Sequence, residues 1–313
     1  MNKKIILRLS NEIGNQMFMY AAAYSISKSI DRNLYIDNET AFQLKKNIST
    51  YGLDEFNIIS NIAPDKFKFL RLSGYLKRKF LLKLDKLKKV KKFYIEPKNK
   101  EKITYFDNKF LKNKFQENLF MEGHFESEKY FKEHKQEIIN QFEFKLKNFY
   151  SKNKFFKLLT NSNSVSICVR QNRFSEKLRK INSTDIKMSE NYSYEQINYI
   201  KKSIELIKSK VPNPKFFIWS NDFNNLEKYF PENQYTHIKN DETLTEGRKP
   251  LLDLFLMSQC KHFIVIPSSF NWWGAYLSKN KDKIIIRPDD NNFKDFKTNN
   301  LDFWPSDWII INK

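Results

Sequence analysis

The sequence predicts an α/β protein built from doubly wound units, and three stretches carry that prediction. Near the start, KIILRL (4–9) reads as a buried strand, a turn occupies Ser10 to Gly14, and a helix follows. Phe18, Ala21, Ala22, Tyr24 and Ile26 give that helix its apolar faces, and LYIDN (34–38) is the next strand. In the second half, VSICV (165–169) opens a similar series. From Pro250 to Leu277 a helix, a buried strand and a second helix come in quick succession. Leu251, Leu254, Phe255 and Met257 step at helical spacing; HFIVI (262–266) is β-rich and too short for a helix; Pro267 stops it; Phe270 to Leu277 resume a helical pattern. Strands alternating with helices call for parallel sheets with crossover helices.

The chain has 313 residues, 40% of them hydrophobic and 16% aromatic, enough for two ordinary domains with real cores. Cys168 and Cys260 sit in apolar, strand-like contexts, SICVR and SQCKH, and read as buried reduced thiols without disulfide or metal spacing. MNKKIILRLS has too short an apolar run for a signal peptide, and no segment is long and apolar enough to span a membrane, so a cytoplasmic protein is expected. The formal charge of +20 suits phosphorylated substrates, an anionic membrane or nucleic acid, although lysine-rich codon bias accounts for part of it. GxGxxG is absent, which argues against a nicotinamide dehydrogenase. No RNA- or DNA-binding signature accompanies the charge, so no specific nucleic-acid partner is expected.

Taken in order, Phe67 to Phe93 is the most basic stretch. Phe69, Leu72, Leu76, Phe80, Leu84 and Leu87 step by three or four beside a dense lysine face, which predicts an amphipathic helix. It either lies peripherally on anionic lipid or is a solvated domain surface. NLFMEGHFESEKYF (118–131) reads as a strand, a loop over Glu122 to Glu126 and a helix from Ser127, continued from Tyr130 to Tyr150. Lys152 to Asn163 is polar and weakly patterned, which places a domain boundary between 1–155 and 156–313. Beyond it, Tyr194 to Lys208 is a helix with Ile197, Ile200, Ile204 and Ile207 on one face. KFFIW (215–219) is a strand, Phe223 to Tyr229 helical, Tyr235 to Ile238 a weak strand and KIIIR (283–287) a last one. The aromatic tail FWPSDWIII is expected to pack back on the body.

The polar residues fall at strand ends. Arg170, Ser220 to Asp222 and Ser268–Ser269 each follow a predicted strand of the second half, and parallel sheets bind ligands outside those ends. Ser268 and Ser269 open a helix where backbone N–H groups and the positive dipole end favour an anion. Asp253, one helix earlier, is a carboxylate in an apolar frame: either a helix cap or an acceptor for a base or sugar. With an arginine, an Asn–Asp pair and a serine helix start, these parts suit a nucleotide diphosphate.

Five blocks then resemble the bacterial α-1,2-fucosyltransferases of glycosyltransferase family 11. GNQMFMYAAA is similar to the family's GNQMFQYA, EGHFESEKYF to GYWQSEKYF, CVRQNRF to HVRRGDY and FFIWSNDFNNLEKYF to its FSDD segment. The stretch from Asp253 to Leu277 resembles the block ending NSSFSWWGAWL. The resemblance implies a GT-B enzyme, two Rossmann-like domains facing across a cleft. GDP-fucose would lie on the C-terminal domain and a galactose-containing glycan would be the acceptor. Inversion and no metal or other cofactor are also implied. On the donor side it implies Arg170 on the β-phosphate, Ser268, Ser269 and Phe270 at the phosphate-facing helix, and Asp253 and Asp222 reading guanosine, with Ser220 and Asn221 beside them. Asn15 and Gln16 belong to the acceptor-side loop. Glu12, His124, Glu126 and Glu176 are candidates, by position, for taking the acceptor proton; His124 also reads as a structural histidine. Trp272 and Trp273 read as helix packing.

The motif RRGD is replaced here by Arg170, Gln171, Asn172 and Arg173, and its histidine by Cys168. Three readings stay open: Arg173 supplies the second cation, donor binding is weakened, or a diverged transferase uses another donor sugar. A non-catalytic nucleotide- or glycan-binding protein is the alternative from another class.

Overall fold

The computed structural model describes residues 3–43, 49–101, 103–175, 182–240, 249–289, 291–293, 299 and 301–311. The chain divides into two compact units, residues 1–145 with 301–305 and residues 146–300 with 306–313.

The first unit runs β1 (Lys4–Arg8), α1 (Ile13–Ser29), β2 (Asn33–Asp37), β3 (Asn61–Ile62), α2 (Arg71–Asp85), β4 (Lys91–Ile95), β5 (Phe115–Glu122) and α3 (Lys135–Gln141). Its five strands are all parallel in the order β3-β2-β1-β5-β4. α1 is buried almost all round, and its Ala21–Ala23 run leaves room for close approach, so it forms the centre of this core.

The expected helix from Phe67 to Phe93 is overturned in its last third. α2 stops at Asp85, whose buried carboxylate accepts the N–H of Lys92 (2.7 Å) and of Phe93 (3.0 Å), so the chain turns and Lys91 to Ile95 join the sheet. The continuous helix expected over Tyr130 to Tyr150 is also broken. Short 3₁₀ turns precede α3, and Phe144 leaves the helix to form an antiparallel bridge with Phe56.

The second unit runs α4 (Lys147–Tyr150), α5 (Phe156–Thr160), β6 (Asn163–Val169), α6 (Ser183–Lys210), β7 (Pro214–Ser220), β8 (Tyr235–His237), α7 (Lys249–Ser258), β9 (His262–Ile264), α8 (Ser269–Leu277), β10 (Ile285–Pro288) and β11 (Ile309–Ile311). Six parallel strands lie in the order β11-β10-β9-β6-β7-β8. The isoleucine face read from the sequence packs on the sheet: Ile197, Ile200, Ile204 and Ile207 meet Val165, Ile167 and Ile218. α6 begins well before Tyr194, because Asn182 and Asp185 form a capping box. Phe223 to Tyr229 form turns rather than a helix. Trp272 and Trp273 are fully buried, with Trp272 stacked on Tyr276 at 4.3 Å and 5.5 Å from Trp308.

The unit break at 145/146 precedes the expected 155/156, since Tyr150 and Phe156 both pack against Phe255 of α7. The aromatic tail divides. Phe303 meets Phe18, and Asp302 accepts the N–H of Phe106 (3.0 Å) and pairs with Lys129 in the first unit; Ile309–Ile311 extend the second sheet.

Candidate active site

The second sheet starts at β6, moves outward through β7 and β8, and returns to β9 on the other side of β6. The crevice beyond the carboxyl ends of β6 and β9 is therefore a topological switch point, where doubly wound sheets bind ligands. Arg170 stands on one side of it and Ser268 to Phe270 on the other. Gln196, wholly buried on α6, brackets the arginine's backbone: it accepts the Arg170 N–H at 2.8 Å and donates to the Arg170 carbonyl at 3.3 Å.

Gln171 replaces the motif's second arginine, and its amide is used inside the protein. It donates to the carbonyls of Asp222 (2.6 Å) and Asn224 (2.9 Å), while Asn221 accepts the Gln171 N–H (2.8 Å) and donates to the Gln171 carbonyl (3.1 Å). The loops after β6 and β7 are thus laced together. Asn172 turns the chain in the left-handed region (φ 54°), beyond which Arg173 is half-buried. Ser220 donates to the Asp222 carbonyl at 2.5 Å and accepts the Asp222 N–H at 3.2 Å, and the Asp222 carboxylate accepts the Asn224 N–H at 2.9 Å. Ser220 and Asn221 therefore hold this loop's shape. Glu176 lies outside the described residues.

At the other side of the crevice Ser268 is the N-cap residue of α8, extended at φ −153°, and its hydroxyl makes no capping hydrogen bond. Ser268, Ser269 and Phe270 are half-buried while the rest of α8 is buried. Asn271, wholly buried, accepts the Ile266 N–H at 2.8 Å and fixes the turn that aims the helix start. Gly274 lets α8 cross α7 closely: a Cβ there would come within 2.3 Å of Met257 Sδ. The result is a helix N-terminus whose N-cap serine makes no capping hydrogen bond.

Asp253 stands inside α7, one turn past Lys249, so it is not that helix's cap. Its Oδ1 accepts from Asn240 at 2.5 Å. Burial pushes its carboxyl up to about 6, against the lowering effect of Asn240 and Lys249. The Cys168 thiol, near the end of β6, is pushed up to about 12 by burial and by the charge of Asp253, with Arg170 opposing. Asp253 and Arg170 thus act on the same thiol, which places both around the end of β6.

The first sheet differs in its second half. It starts at β1, moves out through β2 and β3, crosses to the edge strand β4 and comes back inward to β5 beside β1, so its switch point lies between the ends of β1 and β5. Asn11, in the left-handed region at φ 66°, sits 3.2 Å through Nδ2 from His124 Nε2, joining the two loops. The N–H groups of His124 (2.7 Å) and Phe125 (2.9 Å) donate to Glu96 Oε2. Glu96 is buried, which pushes its carboxyl up to about 7 against those bonds. Gly123 permits the contact, since a Cβ would lie 2.4 Å from Glu96 Cβ. At the foot of the same loop Glu122 accepts from Arg8 (3.1 Å) and, through both oxygens, from Arg78 of α2.

Glu12 is the N-cap residue of α1, exposed, with no capping bond from its side chain. Glu126 is half-buried in the His124 loop, and Asn15 half-buried in the first turn of α1. Gln16 requires a correction. It is wholly buried, donates to the Asn11 (2.8 Å) and Thr50 (2.8 Å) carbonyls and accepts the Gly52 N–H (3.0 Å), so it braces the loop rather than lining its surface. Glu96 and Gln196 escaped sequence reasoning. Glu96 directly follows β4, a strand hidden in the lysine run; Gln196 lies among the apolar positions of α6.

Among the described residues, Glu227, Glu232 and His237 form the one group with metal-type donor atoms within 4.8 Å of one another, at β8 on the sheet's edge. Lys239 already pairs with Glu232 there.

Comparison with known proteins finds relatives along the whole chain. The family model for glycosyl transferase family 11 matches residues 2–312. An α-1,2-colitosyltransferase of Escherichia coli is 28% identical over 312 residues, covering 99% of both chains. The E. coli O-antigen biosynthesis glycosyltransferase WbnK is 23% identical over 292 residues, covering 90% of this chain and 92% of its own. Among solved structures, the fucosyltransferase NodZ from Bradyrhizobium superposes with a TM-score of 0.51 at 14% identity, over 88% of this chain and 93% of its own. A FUT1 variant from Arabidopsis thaliana in complex with GDP gives 0.52 at 14%, over 97% and 75%. These neighbours share the GT-B fold. With two parallel sheets of that type and a match along essentially its whole length, the chain belongs to glycosyltransferase family 11.

Proposed function

We propose that this family 11 glycosyltransferase is an inverting, metal-independent α-1,2-fucosyltransferase that moves L-fucose from GDP-fucose to a galactose 2-hydroxyl of a bacterial surface glycan. The observation that carries the reading is the switch point of the second sheet, where Arg170, Asp253 and the open start of α8 gather around the end of β6. Cleaving the sugar–phosphate bond develops charge on the β-phosphate. A planar guanidinium and helix N–H groups neutralise it without a cation. The Asp253 carboxylate accepts from N1–H and the exocyclic amine of guanine. In the first unit we assign the acceptor proton to Glu12 or His124, whose neighbours in the chain include Asn15 and Glu126.

A second donor is favoured by one observation: the 28% identical relative is named a colitosyltransferase. Colitose lacks one ring hydroxyl of fucose, and a site that leaves its partner for that hydroxyl unsatisfied discriminates strongly. GDP release from GDP-fucose and from GDP-colitose, with and without a panel of galactosides, separates the two. Transfer from GDP-fucose with a new α-1,2 linkage is expected. Transfer from GDP-colitose alone reassigns the donor. GDP binding without turnover on any galactoside leaves a nucleotide-binding protein. Turnover should persist in excess EDTA; loss on chelation, restored by Mg²⁺ or Mn²⁺, overturns the metal-free reading.

A further inference from the structure

α2 turns its apolar stripe away from the core. With 3.6 residues per turn, Gly74, Arg78, Leu81 and Asp85 share its inner side, where Leu81 and Leu82 pack against Phe69, Phe93 and Phe120. Leu72, Leu76, Phe80 and Leu84 run down the opposite side and are 66, 56, 61 and 39% exposed; Leu87, just past the helix, is 86% exposed. Lys77 borders this stripe on one flank and Lys79 and Lys83 on the other, with Lys86, Lys88 and Lys89 following, all exposed. Between Lys66 and Ile95 the sole acidic residue is Asp85, which is buried and bonded to the start of β4. A stripe of large apolar side chains between rows of lysines, with no carboxylate among them, complements the boundary between anionic headgroups and acyl chains.

The inner side of the helix gives this face a purpose. Arg78 holds Glu122 through both carboxylate oxygens, and Glu122 ends the strand that leads into the Gly123–His124 loop. A surface bound by α2 is thus mechanically joined to the loop that carries His124.

We propose that α2 is an interfacial anchor that seats the first unit on an anionic bilayer, with Leu76, Phe80 and Leu84 in the acyl boundary and Lys77, Lys79 and Lys83 at the headgroups. The anchor is independent of donor identity. No helix among the described residues is long and apolar enough to cross a membrane, so the attachment is one of lying on the surface.

The test is co-sedimentation of the full chain with phosphatidylcholine vesicles and with phosphatidylcholine–phosphatidylglycerol vesicles, at low and high salt and without donor or acceptor. Binding to the mixed vesicles is expected, partly retained at high salt. Replacing Lys77, Lys79, Lys83 and Lys86 by Gln should remove the salt-sensitive part. Leu76→Ser with Phe80→Ser should remove the salt-resistant part, roughly tenfold in affinity for each anchor. Both side chains are exposed, so thermal melting should not move. Three outcomes overturn the proposal: no binding to anionic vesicles at low salt; a serine variant that binds as the parent does; or concentration-dependent dimerisation lost in the serine variant, without vesicle binding. The last assigns the face to a second copy. Because no turnover is measured, failure here leaves the transferase reading intact.

Discussion

The two switch points lie in sheets of different strand order and are held by different bonds. At β1/β5, Asn11 reaches His124, Glu96 takes two loop N–H groups, Gln16 closes three contacts and Glu122 joins two arginines. At β6/β9, Gln171 and Asn221 lace the two loops, Gln196 brackets Arg170, the N-cap serine of α8 makes no capping bond, and Asp253 is a carboxyl whose ionisation burial resists. The first is the closed half; the second, whose N-cap serine makes no capping bond, is the open half. On the proposed reading, the open half takes the diphosphate donor and the closed half places the acceptor hydroxyl.

The largest effect should come from the open half. Arg170→Lys keeps the charge but loses the planar fork, and on the proposed reading should cost about 2–4 kcal/mol of transition-state stabilisation with melting unchanged. A kcat/KM within about threefold of the parent, under roughly 1 kcal/mol, would remove Arg170 from the comparison.

Asp253→Asn sharpens it at the base-reading end. GDP affinity in the parent should rise between about pH 5 and 7, because the ionised carboxylate is the acceptor and its carboxyl titrates at about 6. The Asn variant should bind about tenfold more weakly at neutral pH, from the lost charge-assisted acceptor, and without that pH dependence. Calorimetry giving equal affinity and equal pH profiles would return Asp253 to a structural partner of Asn240.

The closed half is read through stability rather than through binding or turnover. Glu96 is raised above its unfolded value, so its contribution to stability is fully present below about pH 4.5 and is lost as pH climbs through about 7. Glu96→Gln keeps an oxygen for His124 and Phe125. It should flatten that fall, whose slope cannot exceed about 1.4 kcal/mol per pH unit for one proton. Denaturant melts that run parallel in parent and variant from mildly acidic to mildly alkaline pH would show that the loop is held by something else.

The open half was the more legible in the sequence. Arg170, Ser268 and Asp253 stand out because strand, proline and helix patterns are local, and the strand-end rule then groups them. The closed half depends on partners far apart in the chain: Glu96 acts on residues 28 and 29 positions later, and Gln16 on Thr50 and Gly52. The same cause explains the misplaced end of α2. Its lysine-and-leucine rhythm continues to Leu87, and only Asp85 bonding to the start of β4 stops it. Gln171 looked like a degraded motif position because its role, binding two carbonyls of the neighbouring loop, has no sequence pattern. The unit break and the divided tail are decided by aromatic contacts rather than composition.

That divided tail sets a rule for recombination. The chain passes from the first unit to the second at 145/146, returns for 301–305 and leaves again, so neither half is one contiguous stretch of gene. A second unit transplanted by a single crossover near 145 would carry away Asp302 and Phe303, and the host's first unit would receive a foreign copy of its own clasp on Lys129 and Phe18. On the proposed reading, chimeras that exchange donor preference should therefore retain residues 301–305 from the parent of the first unit.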